Sequence, residues 1–138
     1  MKIRLAEPKD VKIIQNLCDI FYFLYTDALL DSIKRKRILV AEEEKVVGVV
    51  LYALKEKKVS ILVVDKEQRG KGIGRLLFEE SVKVFNVTNM KILATKDPTD
   101  SEPFWKAMGF YPLPAIVKTK RGNKLKPMIY IKEKKNDR

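Results

Sequence analysis

The sequence predicts an α/β domain in which a central mixed sheet is flanked by helices, in the order β-α-α-β-β-β-α-β-α-β-β. Three observations predict it. Short β-branched apolar segments alternate with longer ones whose apolar residues recur at helical spacing. The run Val59–Val64 is nearly continuously apolar, as in a strand covered on both faces. That run passes into a helical pattern through Arg69-Gly70-Lys71-Gly72-Ile73-Gly74, a crossover that sets the next strand parallel to it.

The first strand is Lys2–Ala6, where Ile3 and Leu5 alternate with Arg4. Pro8 and Asp10 start a helix with Ile14, Leu17, Cys18, Phe21 and Leu24 on one stripe. Cys18 on that stripe reads as a small core residue. Thr26 or Asp27 caps a second helix running to about Lys36. Phe21, Tyr22, Phe23 and Tyr25 precede it as an aromatic cluster, part core and part candidate acceptor-pocket lining. Ile38–Ala41 is the second strand, Glu42–Lys45 a charged hairpin turn and Val46–Leu54 the third strand. Gly48 inside that strand marks a bulge or a close backbone approach. Val59–Val64 is the fourth strand. The helix after the glycine turn has a broad apolar face, with Ile73, Leu76, Leu77 and Val84 at one spacing and Phe78, Val82 and Phe85 beside it, so it is expected to pack deeply. Met90–Lys96 is the fifth strand, and Asp97–Asp100 breaks the chain. Ser101 caps a short helix, Glu102–Met108, that stops at Gly109. Phe110–Val117 is an edge or bulged sixth strand because Pro112 and Pro114 interrupt it. Arg121-Gly122-Asn123 is a hairpin turn, and Pro127–Lys132 returns as the seventh strand.

A chain of 138 residues fits one domain, 1–138, with a basic C-terminal segment at 118–138. Its apolar runs are far shorter than the roughly 18 residues a membrane span needs. No secretory leader pattern opens it, so a cytoplasmic protein is expected. A single cysteine allows no disulfide framework, and the absence of histidine removes a histidine base and a histidine metal site. No metal is expected. The net charge is +11; Lys118–Arg138 holds nine Lys/Arg against two Asp/Glu, and Lys34–Arg37 adds four cations. Such blocks fit either a solvated basic surface or an acidic partner.

The glycine turn carries the chemistry. A strand feeding a helix through alternate glycines leaves bare N–H groups at a helix N-terminus, where the dipole favours an anion. Arg69, Lys71 and Arg75 add positive charge. A P-loop is excluded because Lys71 is followed by Gly72 rather than Ser or Thr. The Gly-x-Gly-x-x-Gly fingerprints fail because, counted from Gly70, the last position is Arg75. What remains is Arg-x-x-Gly-x-Gly at Arg69, Gly72 and Gly74. It resembles the pyrophosphate loop of the GNAT N-acetyltransferase superfamily, which binds acetyl-CoA. Phe104-Trp105-Lys106-Ala107-Met108-Gly109-Phe110 resembles that family's short helix ending in Gly-Phe, and the element order is similar over essentially the whole chain.

The resemblance implies a GNAT fold and an acetyl-CoA-dependent N-acetyltransferase acting on a primary amine by direct attack in a ternary complex. The cofactor would lie in a V-shaped opening between the fourth and fifth strands. Its pyrophosphate would meet the N–H groups of Gly70, Lys71, Gly72, Ile73, Gly74 and Arg75, with Arg69 beside them. Its pantetheine arm would pair with Leu62, Val63 and Val64 as an added strand, and an N–H near Val63 or Val64 would hold the oxyanion. Phe104 and Trp105 would lie along the cofactor. Trp105 stands where the family usually has its acidic tyrosine, and an indole N–H is no useful acid. Tyr111 is the substitute candidate, with packing as its other reading. Glu102 is the nearest carboxylate, with a helix-dipole role as its other reading. The acceptor is a protein amine, a small amine or an aminoacyl-tRNA, and the basic segment tilts toward an acidic protein or tRNA. A homodimer through the C-terminal strands is implied as well. The competing readings are an acyl-CoA-binding module that has lost catalysis and a nucleic-acid-binding domain; the second leaves the glycine loop unexplained.

Overall fold

The computed structural model describes residues 1–18, 24–53, 55, 58–87, 89–96, 100–118, 122 and 124–131. Its elements are β1 (Lys2–Leu5), α1 (Val11–Cys18), α2 (Thr26–Lys34), β2 (Ile38–Glu42), β3 (Val46–Ala53), β4 (Lys58–Val64), α3 (Ile73–Val84), β5 (Asn89–Thr95), α4 (Glu102–Ala107), β6 (Tyr111–Pro112), β7 (Val117–Lys118) and β8 (Lys124–Ile131). The expected mixed α/β order is realised, with the sixth strand split into β6 and β7. Pro112 and Pro114 supply no N–H, so the ladder against β8 breaks between the two pieces. Antiparallel ladders dominate, and Lys58 pairs in parallel with Lys91. The aromatic residues Phe21, Tyr22 and Phe23, the Asp97–Asp100 break apart from Asp100, and most of the basic segment lie outside the described residues.

The chain forms two compact units, 1–54 with 59–86, and 55–58 with 87–138. In the first, β1 pairs antiparallel with β2, and β2 with β3. Ile14, Cys18, Leu29 and Ile33 from α1 and α2 bury themselves against Ile38, Val40, Val49, Ile61 and Val63. Gly48 answers the choice left open above. Both readings hold: Ala41 pairs with Gly48 and Glu42 with Val46, so Val47 is the extra residue of a register shift beside Gly48, and Gly48 is a close approach as well. A Cβ there would lie 2.9 Å from Leu77 Cδ1 and 3.4 Å from Ile73 Cγ2. The glycine therefore lets α3 settle onto β3. Burial on both faces belongs to β2 and β3 rather than to β4. In β4, Val59, Ile61 and Val63 are buried while Ser60, Leu62 and Val64 are half-buried.

The helix starts differ from expectation. Thr26 is the first residue of α2 rather than its cap, and its hydroxyl accepts from Gln15 Nε2 at 3.1 Å. At α4 the side chain of Ser101 makes no capping bond; Asp100 Oδ1 accepts from the Glu102 N–H at 3.0 Å.

In the second unit β5 and β8 form one antiparallel ladder from Asn89 opposite Ile131 to Thr95 opposite Leu125. Its inner face buries Met90, Ile92, Ala94 and Met128. Trp105 and Phe110 are buried in the same unit, edge to face at 5.1 Å between ring centroids.

Arg4 ties the N-terminal segment down. Its guanidinium grips Asp10 through Nη1 at 2.8 Å and Nη2 at 3.0 Å, and donates from Nε to Glu42 at 3.1 Å. Asp10, buried, also accepts the Glu7 N–H at 2.7 Å. The Arg4 hydrogen bonds hold the Asp10 carboxyl below its ordinary range. A carboxyl with a depressed folded-state pKa stabilises the fold above its unfolded value and loses that contribution as pH falls. Asp10→Ala is therefore expected to cost about 2 kcal/mol at neutral pH, as for a hydrogen-bonded charged group. The cost should shrink below about pH 4, read by denaturant unfolding at several pH values.

Candidate active site

The site begins where β4 ends. Asp65 terminates the strand and its Oδ1 accepts the Glu67 N–H at 3.1 Å, setting a turn of 3-10 helix over Lys66–Gln68. The chain then reverses through two left-handed glycines, Gly70 (φ 82°) and Gly72 (φ 80°), and α3 starts at Ile73. Neither glycine would bring a Cβ within 4 Å of another atom, so the space over the loop is open. Gly72 supplies no side-chain cap, and the first turn of α3 carries no acid. The first helical bond comes from Leu76 N–H to Gly72 O at 3.1 Å. Among the described residues the N–H groups from Gly70 to Arg75 find no backbone acceptor. Six unmet donors at a helix N-terminus, with no side chain above the glycines, form an anion cradle.

The side chains of the loop divide their work. Ile73 is buried beneath it, against the Gly48 position, so only its N–H is offered outward. Gly74 is buried in the helix turn. Arg75 and Lys71 are exposed, and Lys71 Nζ donates to Gln68 Oε1 at 2.9 Å. Arg69 Nε donates to Val64 O at 3.2 Å, which ties the loop to the end of the strand.

The two N–H groups expected to hold the oxyanion, those of Val63 and Val64, point to opposite edges of the strand. The Asp65 N–H donates to Val47 O on β3 at 2.8 Å. Successive peptide groups of a strand point to opposite edges. The N–H and C=O of Val64 and of Leu62 therefore point away from β3, and those of Val63 point toward it. Val63 O agrees, lying 3.5 Å from a Cβ built on Gly48. Of the two N–H groups expected to serve, Val64 has the required direction.

The residues proposed for acid and base work stand as follows. Trp105 is buried, with its ring edge-on to Phe104 at 5.0 Å and to Phe110 at 5.1 Å, so it is a core residue of α4. Phe104 is half-buried beside it. Glu102 bridges two lysines, Lys96 at 3.2 Å and Lys106 at 2.8 Å, and its carboxyl is held below the usual range first by Lys106 and then by Lys96. A doubly paired carboxylate of lowered pKa is a weak proton acceptor at neutral pH. Tyr111 begins β6 with its side chain 66% exposed. Burial pushes the Cys18 thiol up to about 12, as befits a core residue. Sequence reading missed the Asp100 cap and the Lys96 bridge, because no local pattern announces that Lys96 and Asp100 meet the start of α4. Among the described residues no cluster of three His, Cys, Asp or Glu side chains could hold a metal, and no helix is long and apolar enough to cross a membrane.

The comparisons with known proteins give the family and the fold. The family model of the acetyltransferase (GNAT) domain matches residues 15–132. The chain belongs to the GNAT acetyltransferase family, enzymes that take an acetyl group from acetyl-CoA. Among solved structures it is similar to Ard1 from Thermoplasma volcanium, at 19% identity and a TM-score of 0.82, covering 96% of this chain and 98% of that one. It is similar to the ribosomal-protein-alanine N-acetyltransferase from Brucella melitensis, at 19% identity and a TM-score of 0.77, covering 95% and 99%. It is also similar to yncA from Salmonella typhimurium, solved with its cofactor acetyl-CoA, at 20% identity and a TM-score of 0.75, covering 100% and 97%. No curated protein matches it.

Gly72 gives the sharpest test of the cradle. An L residue at its left-handed backbone costs about 1–2 kcal/mol, so Gly72→Glu is not neutral for stability. Its carboxylate would occupy the anion position, where like charges cost several kcal/mol. Acetyl-CoA affinity should fall by about a hundredfold or more by calorimetry, in a protein that still melts cooperatively. Unchanged affinity would remove the loop from the site.

Proposed function

We propose that the chain transfers the acetyl group of acetyl-CoA to an amine, with the loop from Arg69 to Arg75 holding the pyrophosphate and the Val64 edge of β4 holding the thioester end. The observation that carries this reading is the row of unmet N–H groups from Gly70 to Arg75, beneath open space, in a chain of the GNAT family. The outward N–H and C=O of Leu62 and Val64 offer a strand-like partner to the amides of the pantetheine arm. The Val64 N–H then donates to the thioester oxygen and holds the negative charge that gathers there as the amine attacks. The carbon–nitrogen bond forms, the carbon–sulfur bond breaks, the attacking nitrogen releases a proton to water, and the thiolate takes a proton. Tyr111 is the proposed donor of that proton. Phe104 and Trp105 support the fold around α4 in this scheme, and Glu102 is an ion-pair residue rather than a base.

Calorimetric titration with acetyl-CoA and CoA tests the cradle, and thiol release over a panel of amines tests the transfer. Binding of neither compound would defeat the reading. The basic segment and the four cations of Lys34–Arg37 favour an acceptor carried on an acidic macromolecule, met in the cytoplasm.

The proton on the acceptor sets the pH dependence. The sequence has no histidine, and its one cysteine is buried with a raised pKa. No side chain with an ordinary pKa near neutrality remains to act as base. The rising limb of kcat/KM against pH should follow the acceptor's own amine. It should lie about two units higher for a lysine side chain than for a peptide α-amine, whose ordinary values are about 10.4 and 8. A limb shared by both acceptors would place the titrating base on the protein.

Tyr111→Phe should lower kcat about tenfold to a hundredfold with little change in the KM for acetyl-CoA. Trp105→Phe should keep kcat within about threefold while losing about 1 kcal/mol of stability, since it trims a buried ring. The reverse pattern in the two variants would remove Tyr111 from the reaction.

A further inference from the structure

One acceptor on the outward edge of β4 is already occupied. The peptide joining Val64 to Asp65 aims its N–H at Val47 O on β3, at 2.8 Å. Its carbonyl, Val64 O, therefore faces the outward edge, beside the Val64 N–H. Arg69 reaches back five residues and donates to that oxygen from Nε at 3.2 Å. The arginine is exposed, and its partner is a neutral oxygen.

Two ligands compete for this arrangement, one for each end of the bond. A guanidinium is a planar fork of donors that matches phosphate oxygens, and contacts to a charged acceptor are stronger than those to a neutral one. A pyrophosphate in the cradle is thus a better partner for Arg69 than Val64 O is. Val64 O, for its part, lies on the loop side of the Val64 N–H. A pantetheine arm that runs from the loop to a thioester at that N–H passes Val64 O, and an amide N–H of the arm needs it as acceptor. While Arg69 holds the oxygen, that pairing is blocked.

We propose that Arg69 is an exchange latch and thereby a specificity-determining residue. Pyrophosphate draws the guanidinium off Val64 O and uncovers the acceptor that the pantetheine amide takes. The chain then favours thioesters that carry the pyrophosphate over acyl-pantetheines that lack it. The proposal rests on the acetyltransferase reading of the same site. A ligand that needs the uncovered carbonyl binds more weakly in proportion to the time the latch is closed. Reciprocity follows: whatever removes Arg69 from Val64 O strengthens the pantetheine end.

The probes are acetyl-CoA, S-acetylpantetheine and inorganic pyrophosphate, titrated into the full chain by calorimetry for the first and by NMR for the others. Arg69→Met should weaken acetyl-CoA about tenfold, as for one lost contact to a charged group. The same variant should tighten S-acetylpantetheine about threefold to fivefold. That compound is neutral, so the lost charge does not act on it directly, and a merely structural role for Arg69 would weaken both thioesters together. Saturating pyrophosphate should tighten S-acetylpantetheine by a similar factor in the parent and leave Arg69→Met unchanged. The parent arm of that test needs no substitution. S-acetylpantetheine affinity that falls or stays level in Arg69→Met, or that pyrophosphate does not raise in the parent, would overturn the latch. A parent that binds acetyl-CoA and gives those results loses the latch alone. A parent that binds neither thioester loses the cofactor site as well.

Discussion

The close contact between α3 and β3 at Gly48 governs the rest of the cofactor side. With no side chain there, Leu77 and Ile73 reach the strand backbone, and the helix is fixed in height and rotation above the sheet. Ile73 is both the anchor of that contact and the first residue of the helix. The packing that stabilises the unit therefore also sets where the bare N–H groups point. Anion cradles on mobile loops must order themselves on binding; this one is held from below by a buried side chain.

The electrostatics are arranged in the same spirit. Negative side chains of the first unit are neutralised where they bear on structure, as in the Arg4, Asp10 and Glu42 group. In the second unit Lys96 and Lys106 neutralise Glu102. Around the glycine loop the charge is left positive, through Arg69, Lys71 and Arg75. The chain thus combines paired carboxylates with loop cations that hydrogen-bond only neutral oxygens among the described residues, which suits a polyphosphate ligand.

Most of the fold was legible in the sequence, for a physical reason. The period of the apolar residues fixes element type, and glycine and proline fix where elements stop. The loop from Arg69 to Gly74 was legible because its chemistry is carried by backbone, and only particular residues free a backbone that way. What could not be read depends on partners distant in sequence. The direction of the Val64 N–H required the register of β3 against β4. The core role of Trp105 required Phe110 and Phe104 in place around it. The two-sided burial of β2 and β3, rather than β4, required knowing which strands lie under both helical layers. The pairing of Glu102 with Lys96 required knowing that the end of β5 lies against the start of α4.

The alternation along β4 has a consequence for how such a chain can change over time. Peptide groups of a strand address the two edges by parity, so the donor at Val64 belongs to a two-state system with no intermediate setting. Inserting or removing one residue between the β3 ladder and Asp65 would hand the outward position to a neighbour facing the wrong edge. Length changes in this segment are therefore tolerable only in steps of two, or when a bulge absorbs the odd residue.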